Sequence, residues 1–239
     1  YSGSKTVLVL FNAQQNVKIS NLTVYSQPNC LFSLVEQMTE IKSLTLSNIT
    51  TNAIGNQMVY INQSNASPFI NGASYFAAER PGKVYTTFEN CTNNVDIQNE
   101  EACTGVFWGS GPYYGINVKS YATTMAPQDE GKGDNEWVHT KQATEFYVLL
   151  KDCVNYGNIT STLYCGIVFG NAAGLNYGIT AGYTAEELKS MITISNVENF
   201  GTLSYTINNG SSGVFVNKAM DEKYSYLVKN SGKYSKSNN

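Results

Sequence analysis

The chain has 239 residues, of which 42% are apolar and only 14% charged, with a formal net charge of −3; a soluble domain ordinarily carries about a quarter charged residues. One large domain or two small ones fit that length, and the acidic balance leaves no basic footprint for nucleic acid. Val7–Phe11 and Phe146–Leu150, the longest apolar runs, are too short to span a bilayer, and a single histidine, His139, excludes a histidine-rich metal site. Uncharged polar groups stand where charge is missing: 28 Asn, 22 Ser and 21 Thr, beside 20 Gly and 17 Tyr.

The chain opens Tyr1-Ser-Gly-Ser and reads as a mature or excised piece of a longer precursor. Two short, similar runs follow, Ile19-Ser-Asn-Leu-Thr-Val24 and Leu46-Ser-Asn-Ile-Thr50. Between them Leu31, Leu34, Val35, Met38 and Ile41 fall at helical spacing, which predicts an amphipathic helix over residues 30–40 that packs against or caps the rest. With Leu44-Thr-Leu46 behind it, the same stretch is compatible with one leucine-rich repeat of helix plus strand. Arg80, the single arginine, lies in Ala-Glu-Arg-Pro-Gly, where pairing with Glu79 or a turn carbonyl is the plain reading.

At Phe88-Glu-Asn-Cys-Thr-Asn-Asn-Val-Asp-Ile97 a clear pattern begins. It returns as Leu150-Lys-Asp-Cys-Val-Asn-Tyr-Gly-Asn-Ile159 and as Ile194-Ser-Asn-Val-Glu-Asn-Phe-Gly-Thr-Leu203. Each copy is followed by a second element: Gly105-Val-Phe-Trp-Gly109, Gly166-Ile-Val-Phe-Gly170 and Gly213-Val-Phe-Val216. Counting the two upstream half-copies, the first Asn/Asp of the pattern stands at 21, 48, 90, 152 and 196, at intervals of 27, 42, 62 and 44 residues. The repeats are clearest over 85–220. The longer intervals hold either two units or one unit plus an insertion, and residues 122–137 and 172–190 read as insertions. Thr184 with Glu187 three residues on forms a capping box inside the second. Residues 229–239 read as a polar tail or linker after a single domain over 1–228.

Short β-branched and aromatic runs are strands, and Asn and Gly at fixed offsets are turns, because both tolerate positive φ. One such unit cannot bury its apolar face alone. Stacking the copies as parallel strands buries it, sets equivalent asparagines in hydrogen-bonded rows and penalises charge at equivalent positions. The expected architecture is therefore all-β: a right-handed parallel β-helix with loop insertions and one or two short helices. The stretch Asp152-Cys-Val-Asn-Tyr-Gly-Asn-Ile159 through Gly166-Ile-Val-Phe-Gly170 resembles the GLUG-type repeats of large surface proteins in bacteria and protists. That resemblance implies a parallel β-helix used in adhesion or surface architecture. Phe169 and Phe215 depart from it, replacing the small residues usual in the second element.

Cys91 and Cys103 are 12 residues apart, as are Cys153 and Cys165, which suggests a disulfide in each copy; the alternative is free thiols stacked inside a core. Cys30 is left over. Seven Asn-x-Ser/Thr sequons occur, and Asn62, Asn65, Asn209 and Asn158 are the glycosylation candidates. Trp108 with Tyr113 and Tyr114, set among glycines, suits a glycan or protein contact; the alternative puts Trp108 in the core. Asp129, Glu130, Asp134 and Glu136 form the one acidic cluster. It lacks calcium-loop order and is a weak metal candidate through Asp129, Asp134 and Glu136.

No convergent carboxylates, nucleophile–base pair or cofactor motif emerges, so no enzyme and no cofactor are expected. The sequence points to a non-enzymatic extracellular module: a structural or adhesive segment of a larger cell-surface protein, or a filament subunit. Its expected partners are other copies or neighbouring domains at the repeat ends, glycans, or host and cell-surface proteins. The alternative is a glycan-binding or glycan-cleaving parallel β-helix.

Overall fold

A computed structural model describes residues 3–9, 16–36, 42–71, 82–110, 144–171 and 184–237, and these are mostly strand. In chain order the strands are β1 (Gly3–Val9), β2 (Asn16–Ser26), β3 (Cys30–Glu36), β4 (Ser43–Ala53), β5 (Val59–Ile61), β6 (Ile70–Asn71), β7 (Gly82–Glu89), β8 (Thr92–Asn93), β9 (Ile97–Asn99) and β10 (Cys103–Gly105). They continue with β11 (Thr144–Asn155), β12 (Ile159–Ser161), β13 (Tyr164–Gly166), β14 (Ile192–Asn199), β15 (Thr202–Tyr205), β16 (Ser211–Gly213), β17 (Val228–Asn230) and β18 (Lys233–Lys236). Two short helices interrupt them, α1 (Ala185–Ser190) and α2 (Lys218–Tyr224).

The strands form four sheets, and every pairing between named strands is parallel. The largest runs β17-β14-β11-β7-β4-β2, with β8 also joining β4 and β11. A second runs β18-β15-β12-β9-β5, and two smaller ones run β1-β3-β6 and β10-β13-β16. Neighbours in each sheet come from successive stretches of chain, so the register can be compared with the repeat. They agree. Ser20 faces Ser47 and Leu22 faces Ile49; Ser47 faces Glu89, Glu89 faces Lys151, and Lys151 faces Ser195. Asn21, Asn48, Asn90, Asp152 and Asn196 therefore share one column, rung after rung.

These five are also left-handed, with φ of 60°, 53°, 52°, 53° and 52°. The reason is local. Leu46 and Ile49, three residues apart, both point inward, so the alternation of a flat strand must be re-phased between them. One residue at positive φ does this, and Asn and Asp tolerate it best among side-chain-bearing residues. Inward columns then carry the core: Ile19, Leu46, Phe88, Leu150 and Ile194 in one, Ile49, Cys91, Cys153, Val197 and Val228 in another. Gly105, Gly166 and Gly213 are aligned in the β10-β13-β16 sheet, and the apolar pairs that follow them, Val106–Phe107, Ile167–Val168 and Val214–Phe215, are all buried.

Three expectations are corrected. Residues 30–36 form strand β3, between β1 and β6, and not the start of a helix. Leu31, Leu34 and Val35 are all fully buried, and the amides of Leu34 and Val35 donate to the carbonyls of Pro68 and Phe69 at 3.0 and 2.8 Å. Residues 229–236, read as a tail, extend both large sheets: Asn199 faces Asn230 and Leu203 faces Tyr234. The third correction concerns the cysteines. No disulfide links any of the five in this structure, and the expected pairs Cys91–Cys103 and Cys153–Cys165 are not brought together. Cys91 (between β7 and β8) and Cys153 (in β11) stand in the largest sheet's stretch of chain, Cys103 and Cys165 in the β10-β13-β16 sheet.

The capping box is present as read: Thr184 Oγ1 accepts from the Glu187 amide at 3.1 Å and Glu187 Oε2 from the Thr184 amide at 2.8 Å. Of the two insertions, residues 122–137 lie outside the described residues, as do 172–183.

Candidate functional site

One asparagine row is continuous, and it is buried from Thr51 to Asn199. Thr51 Oγ1 donates to Asn93 Oδ1 (2.8 Å), Asn93 Nδ2 to Asn155 Oδ1 (2.8 Å), Asn155 Nδ2 to Asn199 Oδ1 (2.7 Å) and Asn199 Nδ2 to Asn230 Oδ1 (2.7 Å). Each amide's second hydrogen turns back on its own rung: Asn155 Nδ2 reaches Gly157 O at 2.9 Å and Asn199 Nδ2 reaches Gly201 O at 2.9 Å. The glycine two residues on is required by the stacking. A Cβ on Gly157 would stand 2.1 Å from Val95 O, and one on Gly201 2.0 Å from Gly157 O. Asn-x-Gly is thus one device, an amide that links rungs and a backbone thin enough to let them approach.

The left-handed row lies outside. Asn48 Nδ2 donates to Asn21 Oδ1 (3.0 Å), Asn90 Nδ2 to Asn48 Oδ1 (2.7 Å) and Asn196 Nδ2 to Asp152 Oδ1 (2.6 Å), all exposed. Both rows are structural chemistry. They leave the residues just beyond the buried row as the surface with recognition potential.

Those residues are Asn52, Asn94, Tyr156 and Phe200, with Tyr25 facing Asn52 in register. Asn94 Nδ2 bonds Asn52 Oδ1 at 2.9 Å. The Tyr156 and Phe200 rings stack at 5.1 Å with 11° between planes, yet remain 52% and 42% exposed. Beside them Asp96 Oδ1 accepts from the Asn158 amide and side chain (2.6 and 3.0 Å), and Glu198 pairs with Lys229 at 2.7 Å. Exposed rings edged by amides and carboxylates suit a sugar face or an amphipathic protein segment. A second stack, Tyr85 on Tyr147 at 5.1 Å, carries Lys83 Nζ 5.2 Å from the Tyr147 ring centre.

A cavity of about 440 Å³ lies at the β16–α2 end, lined by Tyr164, Asn209, Ser211, Ser212, Val216, Asn217, Lys218, Asp221 and Glu222. Its carboxylate Asp221 is occupied structurally: it accepts the amides of Val214 (3.0 Å), Phe215 (2.9 Å) and Asn217 (3.1 Å). Burial raises the Asp221 pKa, against those amides, which lower it. The Tyr234 hydroxyl is buried and without a hydrogen-bond partner, and burial followed by the Asp221 charge raises its pKa too. Among the described residues no three of His, Cys, Asp and Glu are grouped to hold a metal.

Four of the thiols are buried and Cys30 is half-buried. Burial pushes Cys103 and Cys165 up to about 12. Cys91 is pushed up by Cys153 beside it and by burial, while a hydrogen bond from Cys91 lowers Cys153.

Of the residues singled out in the sequence, Trp108 is corrected: it is fully buried, edge-on to Phe169 at 6.1 Å, and offers no ring to a ligand. Its flanking glycines signal close packing, since a Cβ on Gly105 would stand 2.0 Å from Trp108 O and one on Gly109 1.7 Å from Asn65 O. Tyr113, Tyr114, Asp129, Asp134, Glu136, His139 and Arg80 lie outside the described residues. Among the sequons, Asn62 and Asn209 are exposed, Asn65 Oδ1 accepts from Asn171 Nδ2 at 2.9 Å, and Asn158 is tied to Asp96 and, through Oδ1, to the Thr202 amide at 2.9 Å. Tyr156 and Phe200 were overlooked, although they follow the repeated Asn at the same offset. Among the described residues no helix is long and apolar enough to cross a membrane. Comparison with family models, with curated proteins and with solved structures found no match.

Proposed function

We propose that the chain is a right-handed parallel β-helix serving as a non-enzymatic, extracellular structural or adhesive segment of a larger cell-surface protein. The observation that carries this reading is the constant register: equivalent asparagines, glycines and core residues stack over successive rungs in all-parallel sheets. Right-handedness follows from the strong general preference of parallel crossovers. A stack fastened by buried amides is a rigid spacer, and its outer columns repeat at about 4.8 Å per rung. Such a surface presents the same groups again and again, which favours many weak contacts over one catalytic centre.

The exposed Tyr156–Phe200 stack favours glycan binding as the second reading, with the rings taking a sugar face. One experiment addresses both. The chain, displayed on beads, is tested for retention on host-type cells and on a glycan array, in parallel with a reducing-sugar assay on polysaccharides. Retention without product release is expected, with Tyr156→Ala/Phe200→Ala weakening it. Release of reducing ends would overturn the non-enzymatic reading. Silence on every surface would overturn adhesion and leave the purely structural role. Sedimentation over a concentration series addresses the filament form, which a persistent monomer would eliminate.

A further inference from the structure

Two of the five thiols share a column. Lys151 faces Glu89 and Val154 faces Thr92, so Cys153 stands opposite Cys91 on the neighbouring rung. Both side chains are buried in the core, and Cys153 Sγ reaches across to the rung of Cys91, donating to Phe88 O at 3.4 Å. In-register neighbours in a parallel sheet have Cα atoms about 4.8 Å apart and Cβ atoms on the same side, within the span a disulfide bridges. The other cysteines do not meet this condition. Cys103 faces Tyr164 while Cys165 faces Thr104, one position out of step, so alternation separates their side chains. Cys30 begins β3 in another sheet.

We propose that Cys91 and Cys153 are oxidised to a disulfide that staples two adjacent rungs, formed as the chain folds in the presence of a small disulfide oxidant. One cysteine, as thiolate, attacks a sulfur of the oxidant, forming a mixed disulfide and expelling the first oxidant thiolate. The second cysteine gives its proton to solvent and attacks the first cysteine's sulfur, expelling the remaining oxidant thiolate. Two protein thiols are thereby oxidised to one disulfide, and one oxidant disulfide is reduced to two thiols. Both cysteines are fully enclosed in the folded chain, so exchange precedes closure of the rungs. The bond joins residues 62 apart in sequence, so it closes a long loop, the case in which a cross-link restricts the unfolded chain most.

The test refolds the whole chain in mixed reduced and oxidised glutathione, alkylates free thiols under denaturing conditions and maps linked peptides by mass spectrometry. The expected product is a Cys91–Cys153 link with the other three cysteines alkylated, and a melting temperature that drops by about 5–10 °C on adding reductant. The control is Cys91→Val/Cys153→Val, since Ile49 and Val197 fill the same column on either side. It should fold, lack the link and melt independently of reductant. Five alkylated cysteines, or a link from Cys91 to Cys103 or from Cys153 to Cys165, would overturn the proposal. So would a wild-type melting temperature indifferent to reductant.

Discussion

Replacing Asn155 by alanine removes the middle of the buried amide row and leaves three partners behind. Asn93 Nδ2 loses its acceptor on the next rung, Asn199 Oδ1 loses its donor, and Gly157 O loses the amide that turns back on it. Leaving a buried polar group unpaired costs about 1–3 kcal/mol. Allowing for partial relief by entering water, the sum is about 3–5 kcal/mol, a large fraction of the stability of an ordinary domain. Equilibrium urea unfolding followed by circular dichroism would register it as a lower midpoint at unchanged slope. Asn155→Asp retains the shape and removes both donors. A carboxyl enclosed there has its folded pKa raised above its unfolded value, so its penalty is smallest at acid pH and grows as the pH rises through the folded pKa. The control is Asn48 in the exposed row. Water replaces its amide bonds, but alanine cannot hold φ 53° cheaply, so Asn48→Ala should cost about 1 kcal/mol and Asn48→Gly almost nothing. An Asn155→Ala cost no larger than that of Asn48→Ala would refute the assignment of the buried row as the main polar fastening.

Three further outcomes follow from the geometry. Gly157→Ala places a Cβ 2.1 Å from Val95 O, so the rungs must part; a loss of at least about 2 kcal/mol in urea unfolding is expected, against a few tenths for an exposed glycine free of contacts. Trp108→Ala should cost about 3–5 kcal/mol through the cavity it opens against Phe169 while leaving any glycan or cell binding of the folded fraction unchanged, as read by binding titration. Asp221 has its pKa raised above the ordinary 3.8 by burial, so its contribution to stability is greatest below that value and declines as the pH rises through the folded pKa. Asp221→Asn should remove that part of the pH dependence, at the expense of the Asn217 amide bond, and thermal melts between pH 3 and pH 7 would show it.

The repeat was legible because stacking constrains sequence directly: a left-handed column demands Asn or Asp, and a close-approach column demands Gly. The β17–β18 stretch was misread as a tail because its lysines disguise it, although Asn230-Ser-Gly232 repeats the Asn-x-Gly of Asn155-Tyr-Gly157. β3 was misread for a physical reason. Its Leu31, Leu34 and Val35 are covered from both sides, which erases the alternation of a half-buried strand and leaves spacing that imitates a helix. The cysteine spacing of 12 recurs with the repeat, and it is between copies that one pair comes into register, Cys91 with Cys153, while Cys103 and Cys165 stand one position out of step. Trp108 shows the same limit. Glycine beside an aromatic ring marks backbone crowding here, and only the packed rungs reveal which side of the strand the ring takes.

The constant register is tested most directly by the side-chain amide protons of Asn93, Asn155, Asn199 and Asn230 in solution NMR. The stacked arrangement predicts nuclear Overhauser contacts between the amides of Asn155 and Asn199 and between those of Asn93 and Asn155, with slow solvent exchange at Asn155 and faster exchange at the terminal Asn230. Uniformly fast exchange at all four, with no contact between amides 44 or 62 residues apart, would contradict it.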